Sequence, residues 1–152
     1  DPELFNHIMT KLQELRLVPS SLQLEITEGV AMDKSPTTLI NLNAFRSAGI
    51  KIAIDDFGTG YSSLSYLTSL PIDFIKVDKA FVQALESDHN LSLVKAMLAM
   101  AKAITVQVIA EGIETHAQQQ LLASLGCDFG QGYLYAKPTS LADIEQQLIS
   151  VN

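Results

Sequence analysis

The sequence predicts an α/β fold in which parallel strands alternate with helices. Five apolar segments of strand type recur along the 152-residue chain, separated by helical patterns of ten residues or more. Such helices are long enough for the right-handed crossovers that join parallel strands. Hydrophobic residues make up 47% of the chain and charged residues 18%, so we expect one domain with a substantial core.

The first third of the chain predicts two helices and two strands. The Asp1-Pro2 pair begins a helix whose apolar face is formed by Leu4, Phe5, Ile8, Leu12 and Leu15. Residues 22–27 alternate apolar and polar side chains, which is typical of a strand. A Ser-Pro start and a terminal glycine delimit the second helix, 35–49, and residues 51–56 form the second strand.

The rest of the chain continues the alternation after a short polar segment, 61–69. Thr115 and Gln118 have the spacing of a capping box, which marks a helix start. A serine, Ser140, is placed to cap the last helix. The remaining elements are a strand over 71–78, a helix over 88–102, a strand over 106–111, a helix over 115–126, a strand over 128–133 and a helix ending near Ile149.

Charge and composition exclude several classes of function. The formal net charge of −7 disfavours binding to a nucleic acid polymer, which needs lysine and arginine to neutralise phosphates. The most apolar tract, 96–110, is too short to span a bilayer, so we expect no membrane contact from this segment. No signal peptide opens the chain, and its single cysteine, Cys127, fits a reducing compartment. We therefore expect a cytoplasmic location.

Polar side chains gather where the predicted strands end. The carboxyl ends of parallel strands lie on one side of the sheet, where both barrels and open α/β sheets place their sites. The alternative is that each polar residue only marks a strand leaving the core. That alternative explains one or two strands easily, but all five carry such residues: Glu25, Asp55, Asp56, Lys76, Asp78, Glu111 and Gln131.

The adjacent carboxylates Asp55 and Asp56 are the most unusual feature of this edge. Two carboxylates about 4 Å apart repel by roughly 4 kcal/mol at an effective dielectric constant of about 20. A cation would relieve this repulsion; alternatively, both side chains are solvated or cap the next helix. Successive strand residues point to opposite faces, so both reach one site only if the strand ends there, as Gly58 and Gly60 allow.

Carboxylate oxygens without histidine or cysteine nearby suit Mg²⁺, Mn²⁺ or Ca²⁺ better than zinc. The three histidines, His7, His89 and His116, fall on predicted helices or helix starts, so we expect them on the surface.

Five motifs in order make the chain recognisable. It resembles the EAL domain family, the bacterial cyclic di-GMP phosphodiesterases. The resemblance implies a TIM-type (β/α)8 barrel, with residues 1–152 as the C-terminal part of one EAL domain, about five βα units present and the N-terminal strands missing. The motifs are Leu24-Glu25-Ile26-Thr27-Glu28, Asp55-Asp56-Phe57-Gly58-Thr59-Gly60, Ile75-Lys76-Val77-Asp78, Ala110-Glu111-Gly112-Ile113-Glu114 and Gly130-Gln131-Gly132-Tyr133-Leu134.

The resemblance also implies roles for individual residues. Glu25, Asp55 and Asp56 look like ligands of two Mg²⁺ or Mn²⁺ ions, with Ca²⁺ inhibitory. Lys76 resembles the lysine that contacts the attacking water, and Glu111 the glutamate that completes the site. Three further residues match family positions that support substrate binding or a loop. Gln131 lies beside Glu111, Asp78 closes strand three, and Glu28 anchors the loop 57–67, through which the family forms homodimers.

The implied activity is hydrolysis of cyclic di-GMP to linear pGpG by in-line attack of water. The family's Glu-Ala-Leu motif and an asparagine ligand are absent, so we expect the 152 residues alone to be weakly active or inactive. The alternative is a degenerate EAL module that binds cyclic di-GMP or a protein partner without catalysis. A scaffold or dimerisation piece is a third possibility.

Overall fold

The fold is built on one parallel sheet whose five strands lie in chain order. A computed structural model describes residues 3–33, 35–58 and 64–150. Every neighbouring pair of strands is parallel, as the sequence predicts, and this order is that of a barrel wall that is not closed. The strands are β1 (Gln23–Thr27), β2 (Lys51–Phe57), β3 (Phe74–Val77), β4 (Gln107–Ala110) and β5 (Phe129–Gly130).

Helices of 12, 16 and 9 residues connect β1 to β2, β3 to β4 and β4 to β5, as the predicted alternation requires. Between β2 and β3, however, the described residues contain only a four-residue helix instead of the predicted ten or more. Short helices that the sequence pattern does not predict also follow some strand ends. Two short helices begin directly after a strand: Thr27 accepts a hydrogen bond from Val30 N at 3.4 Å, and Asp78 accepts one from Ala80 N at 2.8 Å. Elements of five residues are too short to show helical periodicity. The helices are α1 (Leu4–Glu14), α2 (Glu28–Met32), α3 (Pro36–Ser47), α4 (Leu64–Leu67), α5 (Lys79–Gln83), α6 (Asp88–Ala103), α7 (His116–Ser124) and α8 (Leu141–Ser150).

Several boundaries differ from the sequence prediction. Strand β3 covers four residues rather than 71–78, and β5 covers two rather than 128–133. After β5, Gly132 packs directly on the backbone of Ile113, where a Cβ would collide. The capping box of α7 forms as predicted. The predicted cap at Asp1-Pro2 and the residues 59–63 lie outside the described residues.

The core lies between the sheet and its helices. The side chains of Ile52, Ile54, Ile75 and Val77 alternate along β2 and β3 and are essentially inaccessible to solvent. Helix α6 covers this layer with Val94 and Leu98. The opposite face of the strands carries the polar residues and forms the interior of the barrel wall. Among the described residues, none of the helices has the length and apolar character needed to cross a membrane.

Two aspartates at the amino end of the sheet bind the backbone of the preceding strand. Asp73, just before β3, accepts a hydrogen bond from Ile52 N at 3.1 Å. Asp128, just before β5, accepts one from Val108 N at 2.8 Å. Asp73 also lies 3.2 Å from the ammonium of Lys51. These contacts stabilise the alignment of neighbouring strands, and that alignment decides which side chains meet at the other edge.

We predict that Asp73→Ala lowers the free energy of unfolding by about 1–3 kcal/mol, because it leaves the N–H of Ile52 without its acceptor. Urea denaturation measures the change, with Glu86→Ala, an exposed carboxylate, as the control. Equal stability of the two variants would contradict a role for Asp73 in joining β2 and β3.

Candidate active site

The candidate active site is centred on a buried lysine. Lys76 lies in β3, and only 4% of the residue is exposed. Its Nζ lies 2.7 Å from Oε2 of Glu25, 2.7 Å from Oε1 of Glu111 and 3.0 Å from Oδ1 of Asp55. These carboxylates come from β1, from the position after β4 and from β2. One ammonium group therefore joins acidic side chains of three other strand segments.

Strand register explains why these side chains meet. Lys76 pairs with Ile109 of β4, so that Glu111 follows on the same face two residues later. Asp55 pairs with Thr27 of β1, and Glu25 lies two residues before Thr27 on the same face. The central strand thus points its lysine between acidic residues on both sides.

Charge compensation keeps Lys76 protonated. Burial by itself would lower the pKa of the Lys76 ammonium, but the close contacts with the carboxylates of Glu111, Glu25 and Asp55 raise the pKa above its ordinary value. Lys76 is therefore a permanent cation that can donate hydrogen bonds and cannot serve as a base near neutral pH. Three carboxylates around one ammonium still leave the site negatively charged.

A β-bulge brings Asp56 to the same site as Asp55. The sequence pattern predicts that strand two ends at Asp56; instead β2 continues to Phe57, which pairs with Val77. The register shifts between Ile54 and Phe57, and Asp56 adopts a left-handed backbone with φ of 54°. The extra residue overrides the strict alternation of faces. Gly60, which was expected to allow the strand to end after Asp56, lies outside the described residues.

Asp55, Asp56 and Glu111 form a group that could hold a metal ion. One oxygen atom from each lies within 4.8 Å of the others. Asp55 Oδ1 is buried and makes no well-oriented hydrogen bond with the described residues, although it lies 3.0 Å from the Lys76 nitrogen. Repulsion from Asp55, then desolvation and the proximity of Asp78, raise the pKa of Asp56. An oxygen-only, under-compensated cluster fits a hard divalent cation.

Glu25 occupies a different position from these three residues. Its carboxylate binds Lys76 and accepts a hydrogen bond from Gln23 Nε2 at 3.2 Å. It does not belong to the group of close carboxylate oxygens found in the described part of the chain. Its role as a metal ligand stays a prediction.

Glu28 and Asp78 support the turn that carries Asp56. Glu28 is buried at the start of α2, and its Oε2 accepts a hydrogen bond from Gly58 N at 3.1 Å. Asp78 follows β3, caps α5 and lies close enough to Asp56 for its charge to raise the pKa of that carboxyl. Glu28 therefore holds Gly58, the second residue of the predicted loop 57–67. The structure corrects the bounds of this loop, because Phe57 belongs to β2 and residues 64–67 form α4. Residues 59–63 lie outside the described residues.

Gln131 follows β5 and lies beside Glu111 at a cavity of about 260 Å³. Its backbone is fixed, because Gln131 N donates to Ala110 O at 2.9 Å and Gln131 O accepts from Ile113 N at 3.0 Å. The predicted positions of the three histidines hold: all lie on helices and are exposed.

The same cavity contains residues that were not predicted as site residues. Gln83 Nε2 donates to Glu114 Oε1 at 3.1 Å on its wall. Tyr133 and Glu114 belong to two of the five family motifs, so the sequence already marked them as candidates for the site. Lys79 and Gln83 lie on the short helix α5, for which the sequence has no periodic pattern.

The chain is similar to known proteins over nearly its whole length. The sequence profile of the EAL domain matches residues 1–138. The bifunctional diguanylate cyclase/cyclic di-GMP phosphodiesterase MucR of Pseudomonas aeruginosa is 40% identical over 149 residues, which are 97% of this chain and 21% of MucR. The chain thus spans about a fifth of the length of the curated relatives it matches.

Solved structures show the same fold. The MucR phosphodiesterase in complex with cyclic di-GMP superposes with a TM-score of 0.88 at 38% identity, covering 93% of this chain and 58% of the other. The EAL domain of Mycobacterium smegmatis DcpA gives 0.89 at 38% identity, covering 97% and 67%. Klebsiella pneumoniae BlrP1 in a manganese and cyclic di-GMP complex gives 0.80 at 35% identity, covering 88% and 34%.

We predict that Lys76→Met destabilises the metal-free chain by about 3–5 kcal/mol, because three carboxylates lose their shared cation. Added Mn²⁺ should restore part of this loss. Urea unfolding with and without Mn²⁺ measures both effects, and Lys102→Met, at an exposed position, is the control. A Lys76→Met variant as stable as Lys102→Met would show that the lysine does not hold the site together.

Asp56→Asn should raise the melting temperature of the metal-free chain and abolish most of the increase that Mn²⁺ produces. Asparagine tolerates the left-handed backbone, so the substitution mainly removes charge. Because the pKa of Asp56 is raised, the folded chain keeps this proton to higher pH than the unfolded chain. Asp56 therefore lowers stability as the pH rises through the window between the ordinary and the raised pKa.

The gain from Asp56→Asn should consequently be present at neutral pH and vanish below the ordinary carboxyl range. Thermal unfolding across pH, with the exposed Asp33→Asn as control, tests this. A gain independent of pH would rule out charge repulsion as its cause.

Proposed function

Because the chain belongs to the EAL domain family, we propose that it carries most of the catalytic site of a cyclic di-GMP phosphodiesterase. The observation that supports this best is the cluster in which Lys76 contacts Glu25, Asp55 and Glu111 while Asp55, Asp56 and Glu111 crowd together. A buried ammonium beside under-compensated carboxylates suits a site that binds cations and a water molecule. The MucR structure, with the same fold, is a complex with cyclic di-GMP.

The acidic cluster would hold the divalent ions that the reaction needs. We assign Asp55, Asp56 and Glu111 as ligands, with Glu25 as a further one, for two ions of Mg²⁺ or Mn²⁺. The BlrP1 structure, a manganese and cyclic di-GMP complex, supports an oxygen-ligand cation of this size. When bound, such ions polarise phosphate oxygens and make water a better nucleophile. Ca²⁺ would occupy the site without supporting turnover.

Lys76 and Glu111 would act on the attacking water. Because Lys76 stays protonated, it donates a hydrogen bond that orients the water oxygen. The Glu111 carboxylate, whose Oε1 lies 2.7 Å from Lys76 Nζ, accepts a proton from this water. The oxygen attacks phosphorus in line with the leaving 3′ oxygen. The new P–O bond forms as the bond to the 3′ oxygen breaks, the 3′ oxygen takes up a proton from solvent water, and the opened product pGpG keeps the new phosphate oxygen.

Substrate binding must depend on cations, since both partners are anionic. The chain has a net charge of −7, and the site itself has more carboxylates than ammonium groups. Gln131 and Glu111 line the adjacent cavity and would contact the substrate beside the scissile phosphate. We also propose a homodimer through the loop 57–67, whose first residues are held by Glu28.

A chimeric protein with a completed barrel tests whether these residues support catalysis when the missing strands are supplied. The remaining part of the MucR EAL domain, which the chain does not cover, would be joined to these 152 residues. We expect the chimera with Mn²⁺ to convert cyclic di-GMP to pGpG, measured by reversed-phase chromatography, and the 152-residue chain alone to be weak.

In the chimera, we predict that Glu111→Gln lowers turnover at least about a hundredfold, because the amide cannot accept the proton. Exposed Glu86→Gln is the matched control and should leave the rate unchanged. Cyclic di-GMP binding without turnover by the unsubstituted chimera would favour the non-catalytic binding module instead.

A further inference from the structure

Gly58 is held from its polar side by Glu28. Its N–H donates to Oε2 of this buried carboxylate at 3.1 Å. The backbone of Gly58 has φ of 100°, in the left-handed region that favours glycine. Asp56, two residues earlier, is left-handed as well, so two left-handed residues flank Phe57, the last residue of β2. The position of Asp56 therefore depends on how firmly Gly58 is held.

Two apolar side chains hold Gly58 from the other side. A Cβ atom added to Gly58 would lie 2.9 Å from Cε2 of Phe81 and would collide with the terminal methyl of Met97. Phe81 belongs to α5 and Met97 to α6, so the turn rests against two different helices. Both side chains are partly buried and pack on the hydrophobic core, which limits their freedom to move away.

Helix α5 also contacts the other end of this turn. Asp78 caps the helix through Ala80 N, and its carboxylate lies close enough to Asp56 to raise the pKa of that side chain. Phe81 N donates to Asp78 O at 3.1 Å, so the polar and apolar contacts of the segment 78–81 form one unit. A displacement of Phe81 would move Gly58 and change the geometry between Asp78 and Asp56.

We infer that Phe81 and Met97 are positioning residues for Asp56: by packing on Gly58, they hold the bulged turn in the geometry that brings Asp56 to Asp55 and Glu111. This inference rests on the proposed function, because it assumes that the carboxylates bind a divalent ion. One oxygen each of Asp55, Asp56 and Glu111 lie within 4.8 Å of one another, and the packing opposes the repulsion between these carboxylates.

Helix α6 provides a matched pair of methionines for the test. Met97 and Met100 are both partly buried and both pack on the core, but only Met97 is among the nearest neighbours of Gly58. Met97→Ala and Met100→Ala therefore remove similar apolar contacts from the same helix. Met97→Leu serves as a second variant that keeps volume while losing the reach of the terminal methyl.

The test measures Mn²⁺ affinity by isothermal titration calorimetry and the melting temperature of each variant of the full chain. We expect Met97→Ala and Met97→Leu to weaken Mn²⁺ binding by about tenfold, as found for residues that orient metal ligands. Met100→Ala should lower the melting temperature while leaving the affinity within about twofold, because loss of core packing alone does not move a ligand.

Equal Mn²⁺ affinity of Met97→Ala, Met97→Leu and Met100→Ala would overturn the inference and leave the proposed metal site intact. Absence of Mn²⁺ binding by the unsubstituted chain would instead contradict the metal site of the proposed function, and the inference with it. The two failures are thus distinguishable within one set of titrations.

Discussion

The contact of one buried ammonium with three carboxylates is the interaction on which the rest of the site depends. Lys76 lies on the central strand and binds Glu25, Asp55 and Glu111 at 2.7–3.0 Å. Without this cation, acidic side chains from neighbouring strands would repel one another across the interior face. The desolvation of Lys76 is offset only because several carboxylates share its charge. The parallel sheet, with strands in chain order, is what brings these groups within reach.

The bulge at Asp56 concentrates negative charge at one point of the sheet edge. A regular strand would point Asp55 and Asp56 to opposite faces and separate their charges. The structure instead places both near Glu111, with a left-handed backbone at Asp56 and a raised pKa for its side chain. Glu28, Phe81 and Met97 then hold the next turn from two sides. Such concentrated strain and repulsion are typical of a site that is completed by a ligand.

The sequence was sufficient for the architecture and for the edge where the polar residues meet. Alternating strands and long helices are repeated patterns, and each strand end carried its own polar residue. The sequence was insufficient where the geometry depends on one specific contact between segments that are distant in the chain. The bulge at Asp56 follows from pairing between β2 and β3, which no single segment encodes. Helices α2 and α5 are too short for periodicity, and the contact of Met97 with Gly58 joins residues far apart in the chain.

The most direct measurement is anomalous diffraction at the manganese edge from a crystal of the chain soaked in Mn²⁺. A peak is expected between the carboxylates of Asp55, Asp56 and Glu111, with Lys76 still in contact with Glu25. A crystal with bound Mn²⁺ elsewhere and none between these carboxylates, or with Asp56 turned away from Asp55, would contradict the account.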